Sequence, residues 1–191
     1  MNFDFNKIRN SNRPYIIAEI GVNHECSMKM AKTLILLAKK GGAQAVKFQT
    51  YKADKIVKIK SKAYWDLKKE KTKTQYELFS KLDKFDVEDY KKLSQFSKKN
   101  KIDFLSTPFD LDSVKFLSPL VPLFKISSSD INNIPLIREI ASTQKPVLLS
   151  TGASNIDEIK KAVKILSKKT KKIVIMHCIL NYPTKDADAN L

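Results

Sequence analysis

Six short apolar runs restrict this chain more than any other feature: YIIAEIG (15–21), AVKFQT (45–50), IDFLSTPF (102–109), LFKISS (123–128), PVLLSTG (146–152) and KIVIMHC (172–178). Each has the length of a strand, and most are too continuously apolar to leave one face in water. Strands of that kind are covered on both faces, as in a parallel sheet flanked by helices.

Helical patterns lie between the runs. SMKMAKTLILLAKKGG places Met28, Ala31, Leu34, Ile35 and Ala38 on one stripe, with Ser27 as N-cap and Gly41 as the stop. FDVEDYKKLSQFSKKN has Asp86 as its cap, acids in the first turn and lysines in the last, as the helix dipole prefers. PLIREIASTQ and SNIDEIKKAVKILSKK continue the series, the latter with Ser154 and Asp157 as the expected capping pair. The third to sixth runs begin at 102, 123, 146 and 172, the tight spacing of βα units. Residues 52–82, lysine-rich and carrying Tyr64 and Trp65, interrupt the second unit. An insertion there reads either as a lid or substrate wall, or as a solvated decoration.

Repeated βα units fit an open doubly wound sheet or a (β/α)8 barrel. No G-x-G-x-x-G or P-loop follows the first run, which removes the usual nucleotide-binding reason for the open form. The polar residues tilt the choice to the barrel, because they gather at the C-terminal ends of the runs: Glu19; Lys47 and Gln49; Ser106 and Thr107; Lys125 with Ser127–Asp130; Ser150 and Thr151; His177. Barrel enzymes build their active sites at that rim. Alternation sends Lys47, Gln49 and Lys125 to the face opposite Val46, Phe48, Phe124 and Ile126. Two inward lysines with hydroxyls and carboxylates suit a small, highly anionic ligand. A lone Ser106, Ser129 or Thr151 reads more simply as a cap or loop hydrogen bond, and His177 as a satisfied interior histidine.

The net charge of +16 invites a nucleic-acid reading. Only Arg9, Arg13 and Arg138 are arginine, however, and the lysines are scattered along helices. Base readout and bidentate phosphate contacts favour arginine, so that class is set aside. The 191 residues suit one domain. No run resembles a signal peptide or membrane span, and Cys26 and Cys178 make neither a disulfide framework nor a metal knuckle. A cytoplasmic protein is expected.

AEIGVNHECSMKMA, AVKFQTY, FLSTPFD, FKISSSD, LLSTGAS and MHCILNYPT, in that order, resemble the sialic acid synthase family. That family covers N-acetylneuraminate synthase and bacterial relatives that make legionaminic or pseudaminic acid. The resemblance runs from about residue 14 to the last residue. It implies a (β/α)8 barrel of which this chain holds about the first six units, followed in the family by an antifreeze-like domain. It also implies condensation of phosphoenolpyruvate with the open-chain aldehyde of an N-acetylated hexosamine, giving a nine-carbon 2-keto acid and phosphate.

By the same resemblance, Lys47, Gln49, Thr107, Lys125, Ser128 and Ser150 would hold phosphoenolpyruvate, and Glu19 and Asp130 would be the carboxylates near the reacting carbons. Family members usually have Glu where Asp130 stands. Tyr182 would line the sugar pocket. The family's asparagine three residues after the histidine is Leu180 here, with Asn181 beside it as the candidate contact. A divalent metal, commonly Mn2+, is implied, with its histidine ligands outside this chain; no metal site is expected in residues 1–191. The partners implied are the two substrates and a second copy in a homodimer, or a complementing fragment, with the isolated chain inactive. The rivals are another phosphoenolpyruvate-dependent 3-deoxy-keto-acid synthase, a Schiff-base aldolase using Lys125 or Lys47, and a non-catalytic anion-binding or assembly module.

Overall fold

The computed structural model describes residues 3–181 and 183–191. Six strands, β1 (Ile17–Gly21), β2 (Ala45–Thr50), β3 (Asp103–Pro108), β4 (Phe124–Ile126), β5 (Val147–Ser150) and β6 (Ile173–Met176), fall within the six apolar runs. Among the described residues eight α-helices accompany them: α1 (Phe5–Arg9), α2 (Met28–Lys40), α3 (Ala53–Ile56), α4 (Gln75–Leu82), α5 (Val87–Lys99), α6 (Leu111–Leu117), α7 (Ile134–Ser142) and α8 (Ile156–Leu166). The pairings between these strands are all parallel.

The strands do not form one sheet. β1-β2-β3 make one three-stranded sheet and β4-β5-β6 another. β3 and β4 lie side by side at the seam between them. A closed barrel is therefore not what the described residues form; the α/β character and the parallel order are.

Alternation along the strands separates two apolar layers. Val46, Phe48, Phe124 and Ile126 are fully buried with Ile35 of α2, Leu93 of α5 and Ile137 of α7, forming the core between sheets and helices. The opposite strand faces supply a second cluster, Ala45, Leu105, Leu123 and Leu148, joined by Tyr15, Ile17 and Met176. Lys47 and Lys125 belong to that inner side.

The helix starts follow the capping rules, with one shift. Ser27 accepts from Met30 N, and Asp86 forms a reciprocal capping box with Asp89. α8, however, is capped by Asn155, whose side chain accepts from Glu158 N while Glu158 reaches back to the Asn155 N–H. The expected pair, Ser154 and Asp157, is displaced by one residue. Ser154 is occupied in the preceding turn, where its hydroxyl donates to Gly152 O at 3.2 Å.

Residues 52–82 contain α3 and α4 and an antiparallel bridge between Lys62 and Thr74. Lys52 Nζ donates to the Asp83 and Phe85 carbonyls, which ties the insertion to the edge of the fold. No helix among the described residues is long and apolar enough to cross a membrane.

Candidate functional site

A cavity of about 340 Å3 opens at the C-terminal ends of the strands. Glu19, Lys47, Gln49, Thr107, Lys125, Ser128 and Ser150 line it together. Those are seven of the ten site candidates read from the sequence, drawn from five strands and one turn. Ile17, Leu148 and Met176 close its floor; on the other side the same three line a larger, apolar cavity of about 530 Å3 with Phe3, Tyr15 and Leu123. The larger space is mostly apolar, with Arg9 and Lys171 its only charged lining residues, whereas the smaller one gathers charged and hydroxyl groups and is the candidate site.

β1 bends where Glu19 enters the site. The register with β2 shifts between Glu19 and Gly21, a bulge, and Gly21 takes φ +56°. A Cβ at Gly21 would stand 3.2 Å from Glu19 Oε1, so glycine leaves room for the carboxylate to fold over the cavity. Glu19 Oε2 meets Lys47 Nζ at 2.5 Å, and the same ammonium donates to Thr107 Oγ1 at 3.1 Å. Lys47 is thus a half-neutralised cation held between β1 and β3.

Lys125 differs. Its ammonium donates to Ser150 Oγ at 2.5 Å and to Ile126 O at 3.1 Å, and no carboxylate pairs with it among the described residues. Burial, reinforced by the nearby Lys47 charge, pushes its pKa down to about 8. The two lysines therefore sense one another. An anion between them relieves both the repulsion and the lost solvation.

Hydroxyls from the loops complete the wall. Ser128 begins a short 3-10 turn (Ser128–Asp130), and its Oγ accepts from Gly152 N at 3.0 Å. Cys178 donates its thiol to Ser150 Oγ at 3.2 Å. Cys178, Ile179, Leu180 and Phe109 also line the cavity; none was among the site candidates, Leu180 having been set aside for its neighbour Asn181. Cys178 lies two residues beyond Met176 and shares its inward face, which the register of β6 with β5 decides.

Two candidates fall elsewhere. Asp130 is not among the cavity's lining residues; its carboxylate accepts from Asn133 Nδ2 at 3.1 Å and Ser129 Oγ at 3.3 Å, and burial raises its pKa. Asp130 shares the strand parity of Phe124 and Ile126, which face the helices, and the 3-10 turn holds its carboxylate against Ser129 and Asn133 instead. Asn181 is exposed and contributes its carbonyl to Thr184 rather than its side chain to the site. Tyr182 lies outside the described residues. His177, expected inside, is exposed, with Nε2 2.6 Å from Ala189 O, because Met176 and Cys178 take the inward positions. Thr151 makes the expected loop bond, donating to Met176 O at 2.8 Å, and Ser106 pairs with Thr50 at 2.6 Å. The insertion 52–82 supplies no residue to this cavity, so it is no wall of it.

A family model described as the NeuB family matches residues 34–191. The chain belongs to the NeuB family. A NeuB-family relative, the N,N'-diacetyllegionaminic acid synthase of Campylobacter jejuni, is 41% identical over 92% of this chain and 54% of its own length. The enzyme of the same name from Legionella pneumophila is 37% identical over 93% of this chain and 52% of its own length. The crystal structure of an N-acetylneuraminic acid (sialic acid) synthetase from Leptospira borgpetersenii superposes with a TM-score of 0.79 at 32% identity, covering 92% of this chain and 57% of that one. The chain thus spans about half the length of the NeuB-family relatives it matches.

Metal ligation fits poorly to what is present. Among the described residues no group of three His, Cys, Asp or Glu side chains stands close enough to hold a metal ion, and Glu19 is already engaged with Lys47.

Proposed function

We propose that this chain carries the phosphoenolpyruvate-binding part of a sialic acid-type synthase. The observation that carries the reading is the convergence of Lys47 and Lys125 on one cavity with Gln49, Thr107, Ser128 and Ser150 around them. Family membership supports a reaction class in which phosphoenolpyruvate is condensed with a sugar. The acceptor we propose is an N-acetylated hexosamine, N-acetylmannosamine or a bacterial diacetamido sugar, in its aldehyde form.

Carbon 3 of the enol ether attacks the aldehyde carbon. The electron pair of the C2–C3 double bond forms the new C–C bond, the aldehyde π pair moves to its oxygen, which takes up a proton to become a hydroxyl, and positive charge develops at carbon 2. Water adds there, and phosphate then departs to leave the 2-keto acid. Lys47 and Lys125 neutralise the ligand's carboxylate and phosphate, and they favour the departing phosphate. Glu19, half exposed at the cavity mouth, is the proton acceptor for the attacking water, a role worth about 10²–10⁴-fold.

We further propose that residues 1–191 are the N-terminal part of a (β/α)8 barrel. Support comes from β1 and β6, each of which pairs with one neighbour only and leaves a parallel edge open among the described residues. The family's divalent metal, Mn2+, is assigned to polypeptide beyond the described residues, as are the antifreeze-like domain and the homodimer contact. A cytoplasmic location and a role in surface polysaccharide synthesis belong to the same reading.

Titration of phosphoenolpyruvate into the 191-residue chain is the direct test. Saturable binding, competed by inorganic phosphate and lost in Lys125→Met, is expected; no binding at millimolar ligand would end the proposal. Joined to the remaining family domains, the protein is expected to release phosphate with unphosphorylated amino sugars. A requirement for a terminal sugar phosphate would favour the rival 3-deoxy-keto-acid chemistry.

A further inference from the structure

Ser150 carries the most heavily engaged hydroxyl of the cavity. Its Oγ accepts from Lys125 Nζ at 2.5 Å and from the Cys178 thiol at 3.2 Å. A serine oxygen has two lone pairs and one hydrogen, and an ammonium has no acceptor position. The Lys125 contact therefore has one direction only. With the thiol filling the second lone pair, the serine hydrogen is left the one remaining tetrahedral direction. Ser150 is 5% exposed, and the space it lines is the anion cavity.

The chain places Cys178 there for a backbone reason. Ser150 is the register partner of Met176, and Cys178 is the next inward residue after Met176. Gly152 lets this strand end approach: a Cβ there would stand 3.2 Å from Cys178 O and 3.3 Å from Leu180 N. The thiol is thus held against β5 by packing that also forms the cavity wall.

We propose that Cys178 is a positioning residue that fixes the Ser150 hydroxyl as a hydrogen-bond donor aimed at the bound anion. This rests on the reading of the cavity as a phosphoenolpyruvate site. Without the thiol, the hydroxyl is free to rotate and spends its hydrogen elsewhere for part of the time. A hydroxyl at position 178 replaces the thiol as donor; a methyl does not.

The test measures phosphoenolpyruvate dissociation constants by calorimetry for the wild-type chain, Cys178→Ala, Cys178→Ser, Ser150→Ala and the Cys178→Ala/Ser150→Ala double variant. Cys178→Ala is expected to weaken binding about three- to tenfold, the range of one modest hydrogen bond. Cys178→Ser is expected to restore it to within about twofold. In the Ser150→Ala background the cysteine change should have no further effect, because the two act through one oxygen. Wild-type affinity in Cys178→Ala, equal loss in Ala and Ser variants, or an undiminished loss in the Ser150→Ala background would each overturn the assignment. A second measurement needs no variant: iodoacetamide labelling, mapped by peptide mass, should slow at Cys178 but not at Cys26 when phosphoenolpyruvate is present. Binding that leaves the Cys178 labelling rate unchanged counts against the proposal. Failure of the wild-type chain to bind at all strikes the functional reading first and this inference with it.

Discussion

Glu19 and Lys47 are register partners on β1 and β2, and their side chains meet at 2.5 Å. The carboxylate thus competes with any incoming anion for the same ammonium. Glu19→Gln removes the competitor and the proposed proton acceptor together. Phosphoenolpyruvate is expected to bind about threefold more tightly, a partly exposed ion pair being worth little more than that. Turnover in the assembled enzyme is expected to fall about 10²–10⁴-fold. Paired binding and kinetic measurements check the opposite signs; unchanged turnover removes Glu19 from the chemistry.

Lys125 makes affinity and stability respond to pH in opposite directions. Its folded pKa of about 8 lies below the ordinary lysine value of 10.5. Between those values the unfolded chain binds more protons than the folded one, so stability rises with pH across that window. Anion binding needs the ammonium, so affinity falls as pH rises through about 8. Lys125→Met is expected to flatten both curves and abolish binding, as read from urea midpoints and titrations between pH 7 and 10.

Gly152 has no room for a side chain. A Cβ would meet Ser128 Oγ at 3.1 Å, and two of its three near neighbours are backbone atoms of residues 178 and 180. Gly152→Ala is expected to lower Tm by a few degrees, an overpacking cost of about 1–3 kcal/mol. It is also expected to weaken phosphoenolpyruvate binding, since Ser128, Cys178 and Leu180 all line the cavity. Unaltered Tm and affinity would contradict the packing described.

His24 makes the fold sensitive to acid. Its ring is buried, stacks on Phe85 at 4.5 Å and 4° between planes, and accepts from Cys26 N at 3.0 Å. Burial holds its pKa below the usual 6.5. The unfolded chain then takes up a proton first as pH drops below about 6.5, and stability is lost as acid is added. His24→Phe keeps the stack and should flatten this acid limb in denaturant midpoints between pH 5 and 7; an unchanged slope would place the sensitivity elsewhere.

Much of the site was legible because period-two alternation is a rigid rule. Once Val46, Phe48, Phe124 and Ile126 go to the helices, Lys47, Gln49 and Lys125 have only the inner face left. Legibility stops where the strands stop. Asp130 lies in a 3-10 turn, and Ser154 is consumed by the turn before α8, so spacing no longer reports direction. At the end of β6 the choice between His177 and Cys178 depends on register with β5, which the run KIVIMHC does not encode by itself. The break between β3 and β4 is a matter of backbone pairing between neighbours, and no side-chain pattern within either strand announces it.

That break gives the anion a mechanical part to play. Lys47, Gln49 and Thr107 sit on one side of the seam and Lys125, Ser128 and Ser150 on the other, and among the described residues no strand ladder joins β3 to β4. A guest gripped by both sets acts as a rivet, and whatever pulls the halves apart loosens its hold.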